Sequence, residues 1–199
     1  MDTARPEISG ETAPRFWNVP NTLTMMRLLL SFVVFGLIAQ ERFFFALIVF
    51  VIAAATDALD GYFARLLNQV TPLGRQLDPL IDKVIVSGAF IYLVTIPGTG
   101  IQPWMVTTII VRELLIQGLR SHLEGQGQAF GAKMAGKLKT LFQCLSISAV
   151  LLALAFPPPP PWLIGRDILT WIAVGLTIYS GLGYVVSGLS LLRQEAVNP

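Results

Sequence analysis

Apolar residues dominate six stretches of the chain, 23–40, 43–64, 79–97, 103–121, 138–157 and 167–191, and polar residues and helix breakers fall between them. Crossing a bilayer takes about 20 mostly apolar residues, so each stretch predicts a membrane-spanning helix. The second, third and fourth are impure, with polar residues intruding at one end. "PGTG" at 97–100 closes the third, and "PPPPP" at 157–161 separates the fifth from the sixth as a rigid turn. The expected fold is an all-α integral membrane protein, a bundle of six transmembrane helices. In domain terms, residues 1–20 form a tail with a short interfacial segment and 21–199 form the transmembrane domain. Phe16 and Trp17 in "RFWNVPN" suit headgroup depth. The first apolar run starts late and lacks a small-residue cleavage site, so the reading is an uncleaved first helix, not a signal peptide.

Composition agrees. The chain of 199 residues is 54% hydrophobic and 13% charged, with mean hydropathy +0.66, whereas a soluble domain carries about 25% charged residues. A net charge of +2 leaves no footprint for nucleic acid. The single Cys144 lies in an apolar run, excludes a disulfide framework and reads as a small buried side chain.

Charge placement orients the bundle. With the N-terminus inside, only Arg42 and Arg166 of the 14 Lys and Arg fall outside. Both termini are therefore expected in the cytoplasm. The segment "TDALDGYFARLLNQVTPLGRQLDPLIDK" (56–83) then sits at the cytoplasmic ends of the second and third helices, together with Arg112, Arg120, Lys137 and Lys139. Polar groups in a membrane bundle face its interior or a water-filled cavity, so one cavity open to the cytoplasm is predicted.

The acidic segment carries chemistry. Asp57, Asp60, Gly61, Ala64 and Arg65 share one helical stripe, as do Gly74, Asp78 and Asp82. Four carboxylates brought together repel unless a cation joins them. An all-oxygen set suits Mg²⁺ or Mn²⁺, and four carboxylates suffice for two ions, the usual clamp for displacement at phosphorus. Gly61, Ala64 and Gly74 leave room for a ligand on the same stripes. The third helix either opens at Pro72, with Pro79 inside it, or starts at Pro79 with Asp78 as its cap.

The pattern Asp57-x-x-Asp60-Gly61-x-x-Ala64-Arg65, eight residues, Gly74-x-x-x-Asp78-x-x-x-Asp82 resembles the signature of the CDP-alcohol phosphotransferase family at every defined position. The resemblance implies a six-helix membrane enzyme that displaces CMP from a CDP-linked lipid or alcohol. It further implies Asp57, Asp60, Asp78 and Asp82 as the metal site, Asp82 as the catalytic base, and a CDP pocket lined by Gly61, Ala64, Arg65 and Gly74. A homodimer is implied as well. "NVPNTLTMMR" (18–27), "VRELLIQGLR" (111–120) and "GKLKT" (136–140) look like segments of a bacterial branch of that family. That likeness implies transfer of the phosphatidyl group of CDP-diacylglycerol to glycerol 3-phosphate, with release of CMP, at the inner membrane. "FGAKMAGK" (130–137) departs from the usual wording there.

Glycerol 3-phosphate is a dianion, and Arg112, Arg120, Lys137 and Lys139 are the candidate residues for its phosphate. Arg112 and Arg120 lie eight apart, on one helix face, and Glu113 is a ready partner for Arg112. Lys133 and Lys139 serve equally well as topology charges, and the lone His122 reads as an interfacial residue. Three other readings compete: the same chemistry with inositol phosphate, serine or phosphatidylglycerol as acceptor, a membrane prenyltransferase, and a divalent-metal transporter. A prenyltransferase needs more helices. A transporter needs ligands near the midplane, whereas these acids sit at one end.

Overall fold

A computed structural model describes the backbone of residues 19–67, 72–125, 134–157 and 159–197; within these, the side chains of 19–21, 23, 24, 57–67, 72–80, 82, 122, 124, 135 and 187–197 lie outside the description. The described chain is all helix, with no strand: α1 Val19–Ala39, α2 Phe43–Leu67, α3 Pro72–Val94, α4 Pro103–Gly125, α5 Met134–Ala155 and α6 Pro160–Val197. Six helices answer the six apolar stretches. Three of them open on a proline, α3 at Pro72, α4 at Pro103 and α6 at Pro160, where the missing N–H is not needed. Helix α3 thus runs through Pro79, and Asp78 lies within it, not at its cap. Residues 1–18, including the expected interfacial Phe16 and Trp17, lie outside the described residues.

The helices pack in a closed circuit, α1–α2–α5–α6–α4–α3 and back to α1, with α3 also touching α5. The core between them is apolar, built on Phe50, Phe90, Ile38, Leu93, Met105, Ile109 and Leu151. Gly88 of α3 lets Phe35 of α1 cross closely, since a Cβ there would fall on the Phe35 ring.

The exterior of the bundle is apolar, unlike that of a water-soluble one, and polar side chains are buried beside the apolar core. Ser31, Gln143, Ser146, Thr170, Thr177 and Ser180 are buried, while Leu29, Phe32, Leu114, Trp162 and Leu182 are exposed. Ser146 and Thr170 pair hydroxyls at 2.8 Å, and Gln143 donates to Thr177 at 3.0 Å. Polar side chains bonded between helices under an apolar exterior suit hydrocarbon surroundings. Among the described residues, Gly136–Ala155 and Pro160–Val186 are long and apolar enough to cross a bilayer; Met25–Ala39, Phe43–Thr56 and Lys83–Val94 are shorter apolar stretches.

The two ends of the bundle differ. At one, Phe44 meets Phe156, Trp104 meets Trp171, and Arg166 staples the α3–α4 turn. Arg166 donates to the Gly98 carbonyl (2.7 Å) and grips Asp167 through Nε (2.9 Å) and Nη2 (2.7 Å). Gly98 and Gly100 hold φ of 81° and 75° there, a region that glycine enters without strain. The other end carries the cavity.

Candidate functional site

All six helices contribute to the cavity wall. Arg27 near the start of α1, Ala55 of α2, Lys83 of α3, Arg120 of α4, Gly136 of α5 and Tyr184 of α6 all line it, around a volume of about 910 Å³. This shared wall brings together residues far apart in sequence. Arg112 and Arg120 lie on one face of α4 because eight residues make just over two turns. Lys137 and Lys139 enter from the first turns of α5.

Among the described residues that line the cavity, Arg27, Lys83, Arg112, Arg120, Lys137 and Lys139 are cationic, and Glu113 alone is anionic. Glu113, 6% exposed, is the hub. Lys139, itself buried, donates to its Oε1 in a short contact, and Arg112 Nη1 approaches the same oxygen at 3.5 Å. Lys83 donates to Gln117 Oε1 at 2.6 Å and to the Glu113 carbonyl at 3.3 Å. Arg112 donates through Nη2 to Ser180 Oγ at 3.0 Å and lies over the Tyr184 ring, 5.5 Å from its centroid. The Nε atoms of Arg112 and Arg120 are buried and have no hydrogen-bond acceptor among the described residues. Buried donors without acceptors are costly, and an anionic ligand would relieve them.

Two of the expected phosphate-binding residues, Arg112 and Arg120, thus stand in the cavity with Lys139 between helices and Lys137 exposed at the rim. Lys139, which the sequence placed equally well as a topology charge, is a buried partner of Glu113. Cys144 is half-buried in the cavity wall. Sequence reasoning did not single out Lys83, Gln117, Ser180 or Tyr184 for this site. The α6 residues had a signal: Thr170, Thr177, Ser180 and Tyr184 repeat at helical spacing within an apolar run.

Asp57, Asp60, Gly61, Ala64 and Arg65 fall on α2, and Gly74, Asp78 and Asp82 on α3; their side chains, and that of His122, lie outside the described residues, as does Lys133 entirely. Their backbone positions adjoin the cavity in sequence: the wall residue Ala55 precedes Asp57, and the wall residue Lys83 follows Asp82. The donors that these positions offer are four carboxylates on two continuous helices. An all-oxygen, anionic set fits a hard divalent ion such as Mg²⁺ or Mn²⁺.

Comparison with known proteins agrees. Residues 17–179 match the profile of the CDP-alcohol phosphatidyltransferase family. A Bacillus subtilis protein named CDP-diacylglycerol–glycerol-3-phosphate 3-phosphatidyltransferase is 42% identical over 153 residues, covering 73% of this chain and 74% of its own. A Pseudomonas fluorescens protein of the same name is 34% identical over 182 residues, 89% of this chain and 93% of its own. A Rickettsia felis namesake is 31% identical over 173 residues, with 84% and 93% covered. With the aspartate signature matched at every defined position and a cationic cavity beside it, the chain belongs to the CDP-alcohol phosphatidyltransferase family.

Proposed function

We propose that this protein transfers the phosphatidyl group of CDP-diacylglycerol to glycerol 3-phosphate, giving phosphatidylglycerophosphate and CMP. The observation that carries the choice of acceptor is the cavity wall: among the described residues six cations face one carboxylate, and two buried guanidinium Nε atoms find no acceptor. An uncharged alcohol would leave those donors and charges unsatisfied. A phosphate dianion takes them up, with arginine forks suited to bidentate contact. The names of the relatives support the same acceptor.

Asp57, Asp60, Asp78 and Asp82 are the residues that would hold two Mg²⁺ or Mn²⁺ ions. When bound, such ions neutralise the diphosphate and the charge that develops on it. Gly61, Ala64, Arg65 and Gly74 line the CDP pocket. Arg112 and Arg120, with Lys137 and Lys139, hold the acceptor's phosphate and so present its hydroxyl to the β-phosphorus. Asp82 accepts the hydroxyl proton as general base. The new oxygen–phosphorus bond forms as the bond to the bridging oxygen breaks, and CMP departs with that electron pair.

The site faces the cytoplasm of a bacterial inner-membrane protein that crosses the bilayer six times, with both termini inside; the bias of Lys and Arg supports this orientation. The working unit is a homodimer. Purified protein, CDP-diacylglycerol and Mg²⁺ are to be assayed for CMP release against a panel of alcohols. Glycerol 3-phosphate should be the preferred acceptor, and Asp82→Asn should abolish turnover. Preference for serine or inositol phosphate would reject the acceptor, and wild-type turnover in Asp82→Asn would reject the base.

A further inference from the structure

Among its described residues α6 supplies neither a cation nor a carboxylate to the cavity, yet one face of it is shaped around Arg112. Ser180, 3% exposed, donates its hydroxyl to the Thr177 carbonyl at 3.2 Å. That bond turns the oxygen's lone pairs toward Arg112 Nη2, 3.0 Å away. Gly181 leaves the space that the arginine stem fills: a Cβ there would stand 2.9 Å from Arg112 Cγ. Tyr184, 2% exposed, sets its ring beneath the guanidinium at 5.5 Å, within cation–π range. Gly136 of α5 accommodates Tyr184 in turn, since a Cβ there would lie 3.3 Å from the phenol oxygen. Among the described residues of its own helix, Arg112 meets Glu113, at 3.5 Å.

We infer that Ser180, Gly181 and Tyr184 are positioning residues for the acceptor's phosphate. They fix the Arg112 guanidinium before the acceptor arrives and so set acceptor affinity through Arg112. An arginine side chain is rich in rotamers, and ordering it in advance removes that cost from binding. The inference rests on the reading of Arg112 as a phosphate ligand.

The test is steady-state CMP release, varying glycerol 3-phosphate at saturating CDP-diacylglycerol and then the reverse. Ser180→Ala should raise the acceptor KM about tenfold, the worth of a hydrogen bond to a charged group, and leave the donor KM within about twofold. Ser180→Thr keeps the oxygen and should restore most of the loss. Thr170→Val removes a hydroxyl as buried as that of Ser180 from the same helix, 1% exposed, and should leave the acceptor KM unchanged. Tyr184→Leu should raise the acceptor KM more than Tyr184→Phe, which keeps the ring; this pair needs no change at Ser180. An equal rise in Thr170→Val would reduce α6 to a stability role and overturn the inference. So would wild-type acceptor KM values in Ser180→Ala and Tyr184→Leu while Arg112→Ala raises it, a result that leaves the phosphate reading intact. A wild-type acceptor KM in Arg112→Ala itself would overturn that reading, and the inference with it.

Discussion

Glu113 holds together charges that would otherwise repel. Lys139 pairs with it across two helices, Arg112 touches the same oxygen, and Lys83 bonds its backbone carbonyl. Lys139 and Glu113 are 4% and 6% exposed. Removing one member of so buried a pair leaves the other uncompensated, at a cost of about 3–5 kcal/mol. Glu113→Gln and Lys139→Gln should each lower the thermal stability of the detergent-solubilised protein. The double variant should be less destabilised than the two effects added, by about 1–3 kcal/mol. Strict additivity would mean that the pair contributes nothing. The sequence offered Glu113 as a neighbour for Arg112, because the two are adjacent. It could not reveal Lys139 as the closer partner, since that contact joins α4 to α5 across 26 positions of chain. Single-helix spacing is blind to such pairs.

Helix ends were the more legible elements. Breakers marked them well: "PGTG" follows α3, and the proline run leads into α6, which opens within it at Pro160. The start of α3 was open in the sequence because Pro72 and Pro79 both suit a first turn, and the helix takes the earlier one. One end had no breaker at all. Helix α1 stops with Glu41 at φ 58°, its N–H bonded to the Ile38 carbonyl (2.9 Å) and the next N–H, of Arg42, to the Leu37 carbonyl (2.8 Å). This is the Schellman pattern, with glutamate in the left-handed position that glycine normally takes. A side chain there costs about 1–2 kcal/mol. Glu41→Gly should therefore stabilise the protein by about 1 kcal/mol with turnover unchanged, as read by thermal unfolding and CMP release. A loss of stability would mean that the Glu41 side chain contributes more than the backbone strain costs. Helix α6 is the opposite lesson. Its apolar average identified a span, but Ser180 and Tyr184 acquire meaning only once α4 is packed against them.

At the scale of the whole molecule, the meeting of six helices at one cavity and the distribution of charge make one statement. The cavity end gathers Arg27, Lys83, Arg112, Arg120, Lys137 and Lys139, while Arg42 lies in the α1–α2 turn and Arg166 is spent on Asp167 and the Gly98 carbonyl at the far end. The cationic cavity and the Lys and Arg bias therefore fall at the same end, and by the positive-inside rule we propose that this end faces the cytoplasm. The orientation is testable without any assay of activity. In a Cys144→Ser background, Gln40→Cys places a thiol in the exposed α1–α2 turn, and Ser121→Cys places one on exposed helix surface near the cavity end of α4. A membrane-impermeant maleimide applied to intact cells should label the first variant and spare the second until the inner membrane is permeabilised. Labelling of Ser121→Cys alone in intact cells would invert the protein. It would place the cationic cavity on the outer face and require an external source of both substrates, which the positive-inside bias opposes.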